Sequence, residues 1–171
     1  MKPQCSRIPQ TSYKFSGYLA DYLTGVTEQW LKIAPEANPA MLEIFRDGDR
    51  RPLRNLVPWA GEFAGKYLTS AVQVLRLTPD ASLKAFIKEF VDHLVQLQDE
   101  DGYLGPWPEG SHLTGNAPNV GGKQGNTWDA WGHYHIMLGL LLWHEESGDR
   151  KALASVIKIA DLVCRKFLGK K

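Results

Sequence analysis

One helix-turn-helix pattern occurs twice in this chain, and the repeat limits the folds that the chain can adopt. The first copy reads YLTSAVQVLRLTPDASLKAFIKEFVDHLVQLQ, and the second reads IMLGLLLWHEESGDRKALASVIKIADLVCRKFL. The period is roughly 70 residues, longer than the period of about 34–47 residues in common helical solenoids. Repeated αα-hairpins cover each other's apolar faces, so that the array either extends or closes into a ring. The long period favours an α/α toroid, in which inner and outer helices alternate.

Apolar residues recur at spacings of three and four through most of the chain, while strand signals are essentially absent, which predicts an all-α fold. The helices are expected at about residues 16–33, 41–45, 58–77, 80–98, 127–147 and 149–167. Asp80 and Asp149 are the expected N-caps of the outer helices, Asn126 or Thr127 is the expected cap of the helix before Gly148, and Gly148 ends that helix. About six helices would make about half of an (α/α)6 toroid. We expect a tail at residues 1–16 and a single, incomplete barrel domain at 17–171.

The composition argues for one globular domain and against several kinds of partner. The 171 residues are 43% apolar and 23% charged, with a formal net charge of +1. The Lys and Arg residues are scattered and balanced by acids, so we expect no nucleic-acid partner. No apolar run is long enough for a membrane span, and the start lacks a secretory signal, so we expect a cytoplasmic protein. Cys5 and Cys164 fit two reduced thiols better than a disulfide or a metal pair.

Two glycines lie four residues apart inside one predicted helix. Gly61 and Gly65 each cost about 1 kcal/mol of helix stability relative to alanine. Such a cost indicates that something must approach the helix closely. We expect a neighbouring helix, and a ligand is the alternative.

The candidate site is the rim where the long Asp99–Asn126 loop meets the starts of the inner helices. Trp59 and Glu62 on one helix are expected beside Trp128, Asp129 and His133 on the next. Aromatic rings beside polar groups are typical of sugar clefts, since the rings stack on apolar sugar faces while polar groups bind the hydroxyls. Each residue also has a structural interpretation: core packing for the tryptophans and a first-turn acid for Asp129. A structural role is favoured for His135, and zinc is rejected for His133-Tyr134-His135, because residues two apart point to different sides of a helix.

The motifs GEFAGKYL, QDEDGYLG and WDAWGHY, in that order, resemble the N-terminal part of the glycoside hydrolase family 127 β-L-arabinofuranosidases. The resemblance covers roughly residues 17–167 and implies an (α/α)6 barrel. It also implies retaining hydrolysis of an arabinofuranoside-like sugar at a zinc-bound cysteine nucleophile with an acid/base Glu. In the family those groups lie later in the barrel, so we expect no catalytic residue, no metal ligand and no cofactor in this chain. Tyr134 stands where the family often has Lys or another polar residue.

The resemblance gives His133 a sugar-contacting role. The full set of expected substrate-binding residues, from the resemblance and the rim argument together, is Trp59, Trp107, Trp128, Asp129 and His133. The leading hypothesis is an N-terminal fragment of such a hydrolase that contributes part of the cleft and is inactive alone. We expect it to self-associate or to require a missing C-terminal half. The alternatives are a non-catalytic helical module that binds carbohydrate or protein, and a small hydrolase using Glu62 and Asp129.

Overall fold

The structure is a computed structural model that describes residues 13–169. Seven α-helices, two short strands and one turn each of π- and 3-10-helix make up this part of the chain. The helices are α1 (Tyr18–Val26), α2 (Ala34–Ala37), α3 (Ala40–Arg46), α4 (Glu62–Leu77), α5 (Ala81–Gln96), α6 (Asp129–Ser147) and α7 (Arg150–Phe167). The strands are β1 (Asn116–Val120) and β2 (Lys123–Asn126), the π turn is Thr27–Leu31 and the 3-10 turn is Glu109–Ser111. None of the helices between residues 13 and 169 combines the length and hydropathy that crossing a bilayer requires.

The two outer helices begin as the sequence predicts. Asp80 caps α5, because its Oδ1 accepts the N–H of Leu83 at 2.9 Å. Asp149 caps α7 by accepting the N–H of Lys151 at 2.8 Å. Gly148, with φ of 75°, ends α6 in the left-handed region. These caps satisfy helix-end groups that would otherwise lack partners, and they confirm both αα-hairpins.

The inner helices α4 and α6 lie so close that their backbones touch. A Cβ on Gly65 would lie 2.2 Å from the carbonyl carbon of His135, and one on Gly139 would lie 2.9 Å from the carbonyl oxygen of Gly65. We call this line of backbone contacts between α4 and α6 the seam. Near its start, Gly132 packs against Gly61. The contacts advance in the same direction on both helices, so α4 and α6 are parallel. The expectation that a neighbouring helix explains the glycines is confirmed for Gly65. It is wrong for Gly61, which precedes α4, and a Cβ on Gly61 would lie 3.0 Å from the ring of Pro106 in the long loop and 4.0 Å from Gly132.

The core lies between the inner helices and the outer helices α5 and α7. Its fully buried aliphatic side chains come from both pairs: Leu68, Val72, Leu83, Ile87, Leu94, Ile136, Leu140 and Ile159. The N-terminal helices cover the far side of α4, where the hydroxyl of Tyr67 donates to the carbonyl of Leu31 at 2.8 Å. Two αα-hairpins with parallel inner helices form an arc of an α/α toroid, so the predicted fold class is confirmed.

The long loop contains a β-hairpin, and the expectation that strands are absent is wrong at this point. Strands β1 and β2 are antiparallel and joined by Gly121 and Gly122, whose φ values are 60° and 81°. Positive φ at both central residues is the type I′ hairpin turn, and Gly-Gly is one of its sequence signals. The connector before α4 joins this hairpin, since Leu56 donates its N–H to Asn119 and accepts from Gly121.

Both inner helices start differently from the prediction. Helix α4 begins about one turn later than predicted, and α6 lacks the predicted cap. Residues 58–61 form a turn, so α4 starts at Glu62 and Trp59 precedes it. Neither Asn126 nor Thr127 caps α6, because β2 pairing and the bond from the Thr127 N–H to Gly115 hold both residues outside the helix. Trp128 occupies the N-cap position and makes no side-chain cap bond.

Replacing Asp80 with alanine is expected to lower the free energy of unfolding by about 1–2 kcal/mol at pH 7. Burial alone would raise the pKa of Asp80, but donors from Leu83, Ser82 and Lys32 outweigh burial and lower the pKa to about 2. A pKa below the unfolded value of about 3.9 stabilises the fold above that pH, and the stabilisation is lost as pH falls through the folded pKa. Urea unfolding at pH 7 and pH 2 measures the effect. Asp80→Asn keeps an N-cap without the charge, so a pH dependence as large as that of the parent would contradict the assignment.

Candidate functional site

The five residues expected to bind substrate all lie where the long loop meets the starts of α4 and α6, but at different depths. Trp59 is 38% exposed and Trp128 is 53% exposed, and their ring centroids are 5.7 Å apart. Trp107, Asp129 and His133 are at most 4% exposed. The structure therefore brings two of the five together at the surface and places the other three beneath it.

Two further aromatic rings extend this surface along α6. Trp131 and Tyr134 are both about half-exposed, and their rings stack with centroids 5.4 Å apart and planes inclined by 29°. Residues three apart on a helix share a face, so their rings point the same way. We call Trp59, Trp128, Trp131 and Tyr134 the aromatic face.

A buried carboxylate fixes the ring of Trp131. The indole N–H of Trp131 donates to Glu62 Oε2 at 2.6 Å, and the ammonium of Lys66 binds Glu62 Oε1 at 2.6 Å. Glu62 is 6% exposed, so these bonds form away from bulk water. Glu62 therefore ties Trp131, on α6, to α4, and its second carboxylate oxygen is occupied by Lys66.

Asp129 holds the long loop against the first turn of α6. Its carboxylate accepts the hydroxyl of Tyr103 at 3.1 and 3.2 Å and the backbone N–H of Leu113 at 2.8 Å. Tyr103 and Leu113 lie at the two ends of the loop segment before β1. A buried carboxylate with charge-assisted bonds to both ends fixes the conformation of the loop. We call Asp129 and these two partners the loop anchor.

His133 extends the loop anchor by one helical turn. Its Nε2 accepts the N–H of Leu104 at 3.3 Å, so Nδ1 carries the ring proton. His133 Nδ1 lies 2.9 Å from the backbone carbonyl oxygen of Asp129 and 3.2 Å from Asp129 Oδ1. Both ring nitrogens therefore have protein partners, and a sugar hydroxyl could reach the ring only if one of these bonds broke.

The hydroxyl and ring of Tyr103 organise the layer beneath the aromatic face. The N–H of Trp107 donates to the Tyr103 hydroxyl at 3.3 Å, which packs Trp107 into the core. The ring of His112 stacks on that of Tyr103, and its Nε2 bonds the carbonyl of Trp107 at 2.9 Å. Burial, assisted by the charge of Asp129, raises the pKa of Tyr103 well above its usual range. Tyr103 is thus a stable hydrogen-bond donor at neutral pH.

His135 faces the opposite side of α6 from His133, as its two-residue offset requires. Its ring meets the edge of Trp131, with centroids 4.7 Å apart. Burial and then the charge of Lys66 lower the pKa of His135, and Glu62 only partly offsets them. The imidazole is therefore neutral at pH 7, and its Nε2 is buried without a hydrogen-bond partner among the described residues.

The described residues do not fit the zinc centre that the sequence resemblance implies for the family. Between residues 13 and 169 no three His, Cys, Asp or Glu side chains cluster closely enough to hold a metal ion. Cys164 is a free, exposed thiol on α7, and Cys5 lies outside the described residues.

Trp131 and Tyr134 belong to the WDAWGHY motif, but neither is among the residues that the sequence predicts to bind substrate. The available signal was their three-residue spacing, which predicts one shared helix face. The same spacing cannot say whether that face is buried. The structure answers this, because α6 turns its glycines toward α4 and leaves the two rings outside.

The arrangement as a whole offers flat apolar surface rimmed by hydrogen-bonding groups. Rings that are half-exposed and held at their edges can stack on an apolar ligand face without losing much conformational freedom. Lys66 supplies a half-exposed ammonium at the border of the aromatic face. Such a surface is suited to binding ring-shaped, hydroxylated ligands.

Comparison with known proteins identifies the fold and a family. A family model described as "Beta-L-arabinofuranosidase, GH127 catalytic domain" matches residues 23–170. A search of curated proteins found no match.

Two solved structures share the fold. A GH127 β-arabinofuranosidase superposes with a TM-score of 0.62 and 20% sequence identity, covering 86% of this chain and 25% of its own. Ara127N-Se, a GH127 β-L-arabinofuranosidase from Geobacillus stearothermophilus T6, gives a TM-score of 0.65 and 18% identity, covering 91% of this chain and 25% of its own. The chain thus spans about a quarter of the length of these structures.

Proposed function

The chain belongs to the family of GH127 β-L-arabinofuranosidase catalytic domains, and from this premise we propose that its aromatic face forms one wall of a cleft that binds an arabinofuranoside-like sugar. The observation that carries the proposal is the pair of exposed tryptophans, Trp59 and Trp128, at the junction of loop and inner helices. Large exposed apolar surface is costly in water and marks a binding region when polar groups rim it.

The proposed wall binds by stacking. A furanose or pyranose ring has an apolar C–H face that fits against an indole, and the two tilted indoles offer adjoining faces. Trp131 and Tyr134 lengthen the wall by two further rings, and Lys66 can donate to a sugar hydroxyl at its edge. The rigid setting of Trp131 against Glu62 lowers the entropy lost on binding.

The buried members of the site act through position. Asp129, His133 and Trp107 fix the loop. The residue before Asp129, Trp128, donates its N–H to the carbonyl of Pro58, the residue before Trp59, and this bond holds the two indoles side by side. We propose this indirect role for His133 in place of direct contact with the sugar. Its loss would then alter the shape of the wall rather than remove one hydrogen bond to the ligand.

A second candidate function is sugar binding without hydrolysis by this chain alone. The hydrogen bonds of the two carboxylates that could form an acid/base pair support it. Glu62 is committed to Trp131 and Lys66, and Asp129 to the loop anchor. Neither offers the free oxygen that an acid or nucleophile in glycoside hydrolysis needs. The same geometry disfavours the small-hydrolase alternative.

Trp128→Ala is expected to weaken binding of methyl β-L-arabinofuranoside about tenfold, because the loss of one stacking ring costs roughly 1 kcal/mol or more. Trp59→Ala should act similarly. Saturation-transfer NMR and tryptophan fluorescence measure the affinity. Trp30→Ala is the matched control, since Trp30 is equally exposed but lies beside Tyr67, away from the site.

Equal affinity in the parent, Trp59→Ala and Trp128→Ala chains would refute the proposed wall. An aryl arabinofuranoside assay of the same samples separates the two functions. We expect no turnover by this chain alone, and turnover that disappears in Glu62→Gln would favour the small-hydrolase alternative.

A further inference from the structure

A pocket that the proposed wall does not use lies between α4 and the N-terminal elements that cover it. The π turn, helices α2 and α3 and one face of α4 contribute its lining. Its volume is about 480 Å³, and small-molecule sites usually have about 300–1,000 Å³. None of the four rings of the aromatic face lines it. We call it the N-terminal pocket.

The N-terminal pocket has an apolar floor and aromatic walls. Met41 and Tyr67 are almost completely buried and form the floor. Trp30 from the π turn and Phe63 from α4 are about half-exposed and form the walls. The edge of the Trp30 ring meets the ring of Tyr67, with centroids 6.5 Å apart. Two half-exposed aromatic rings from different elements that line one cavity offer stacking surface to a flat ring.

The polar side chains of the pocket lie at its rim, since Gln29, Asn38, Lys66 and Ser70 are all exposed. The floor carries one polar side-chain group, the hydroxyl of Tyr67, which donates to the carbonyl of Leu31 at 2.8 Å. A sugar ring in the pocket would therefore turn hydroxyls toward a floor without a free donor, and hydroxyls that leave water without finding partners weaken binding. The floor thus favours an apolar ring over a sugar ring.

The π turn shapes one side of the pocket. The N–H of Lys32 donates to the carbonyl of Thr27, five residues earlier, at 3.1 Å. Turns of this kind are rare and occur frequently at functional sites. Trp30 lies in the turn, and Leu31, at its end, accepts the hydroxyl of Tyr67 in the floor. The floor of the pocket therefore holds the irregular backbone in place, which is a second indication that the pocket binds a ligand.

The N-terminal pocket and the aromatic face adjoin at Lys66. The side chain of Lys66 lines the pocket, and its ammonium binds Glu62 Oε1 at 2.6 Å. The other oxygen of the same carboxylate accepts the indole N–H of Trp131 at 2.6 Å. One carboxylate group therefore spans the distance between the rim of the pocket and the wall. A ligand that stacks on Trp131 lies next to the opening of the pocket.

We propose that the N-terminal pocket binds the aglycone of the sugar that stacks on the wall, and that this aglycone is a flat aromatic ring of the phenol class. The ring lies between Trp30 and Phe63 and covers Tyr67, while the glycosidic oxygen lies near Lys66. That the ring is joined to a sugar rests on the function proposed above. The preference for a flat apolar ring follows from the pocket itself.

The first test compares phenyl β-L-arabinofuranoside with methyl β-L-arabinofuranoside by saturation-transfer NMR. The phenyl glycoside should bind the parent chain about tenfold more tightly, because most of its ring leaves water. Trp30→Ala and Phe63→Ala should each reduce this advantage to about threefold or less, since each removes one stacking wall. The Kd of the methyl glycoside should not change, because a methyl group does not fill the pocket. Tyr22→Ala is the matched control, since Tyr22 is an exposed aromatic residue of α1 that does not line the pocket.

The second test uses phenol alone, which probes the pocket without the sugar. In the ¹⁵N-labelled chain, phenol should shift the indole N–H signal of Trp30, assigned by its absence in Trp30→Ala, and leave that of Trp128 in place. The phenyl glycoside should shift both signals. Thermal unfolding by circular dichroism checks that the Trp30 and Phe63 variants remain folded, as expected for half-exposed positions.

The outcomes for the pocket and the wall are distinguishable. If phenol shifts the Trp30 signal while Trp59→Ala and Trp128→Ala leave the Kd of the methyl glycoside unchanged, the pocket stands as a site for an aromatic ring and the wall fails. If the phenyl glycoside binds no more tightly than the methyl glycoside, or keeps its advantage in Trp30→Ala and Phe63→Ala, the aglycone assignment is refuted whatever the wall variants do. An advantage that disappears only in Trp128→Ala places the phenyl ring on the wall and also refutes it.

A disaccharide of two arabinofuranose units tests the class of the aglycone. We expect it to bind no more tightly than the methyl glycoside and to be insensitive to Trp30→Ala. A disaccharide that matches the phenyl glycoside in affinity, and loses that affinity in Trp30→Ala, would show that the pocket takes a second sugar and would overturn the aromatic assignment.

Discussion

Gly65→Ala is expected to lower the free energy of unfolding by about 3 kcal/mol, because overpacking a close backbone contact outweighs the gain in helix propensity of about 1 kcal/mol. The added Cβ would lie 2.2 Å from the carbonyl carbon of His135 and 2.4 Å from the nitrogen of Ile136. Both atoms belong to the backbone of α6, so no side-chain rotation can relieve the overlap. The inner helices must separate, and the core between them loosens.

Urea unfolding followed by circular dichroism measures this loss. Gly25→Ala is the matched control, since Gly25 lies in α1 and a Cβ there would meet no atom within 4 Å. The control should be neutral or stabilising by about 0.5–1 kcal/mol. Equal midpoints for the two variants would show that the close approach of α4 and α6 does not limit stability.

Asp129→Asn is expected to lower the free energy of unfolding by about 3 kcal/mol, since a buried charged acceptor loses charge-assisted bonds and its replacement must bury two N–H donors. The bonds from Tyr103 and from the backbone of Leu113 both weaken. Because these bonds join the loop to α6, the loop should open more often than the rest of the fold. Hydrogen exchange at Leu104 and Leu113 should therefore accelerate more than exchange in the core of α5.

The pKa of Tyr103 reports the effect of Asp129→Asn directly at the loop anchor. The charge of Asp129 raises the pKa of Tyr103 in addition to burial, so the Asn variant should bring that pKa down toward, but not to, its usual value. A folded pKa above the unfolded one stabilises the protein below about pH 10, and that stability is lost as pH rises through the folded value. Absorbance titration at 295 nm of the parent, Asp129→Asn and Tyr103→Phe chains measures it. Asp161→Asn, at an exposed acid of α7, is the control for a simple change of charge, and a tyrosine titration unchanged by Asp129→Asn would contradict the loop anchor.

The positions and the arrangement of the helices, which we call the frame, are well predicted from the sequence, because they depend on short-range patterns. The caps at Asp80 and Asp149 and the glycine at 148 need only their own neighbours to act. Gly65 is informative because glycine inside a helix costs stability, and a nearby helix is the simplest compensation. The repeat then predicts how the helices are arranged.

The depth of the site residues could not be predicted from the same patterns. Whether Trp128 is exposed while His133 is buried depends on where the loop lies, and the loop is held by contacts across 16 to 29 positions of sequence. Composition made the loop appear irregular, although Gly121-Gly122 carries a hairpin signal. The predicted cap of α6 is wrong for the same reason: Asn126 pairs in that hairpin and the Thr127 N–H bonds Gly115, so neither residue caps the helix.

The backbone seam between α4 and α6 has a consequence for how this surface can change over evolutionary time. Gly65 and Gly139 sit where almost any other residue would push the helices apart, so substitutions at the seam are rarely tolerated. Trp59 and Trp128 extend from the ends of those helices into solvent, and neither is among the nearest atoms that a Cβ on Gly65 or Gly139 would meet. Mutations can therefore exchange the rings at the rim while the frame stays intact. A lineage built on this frame is free to explore new ligands at little risk to folding.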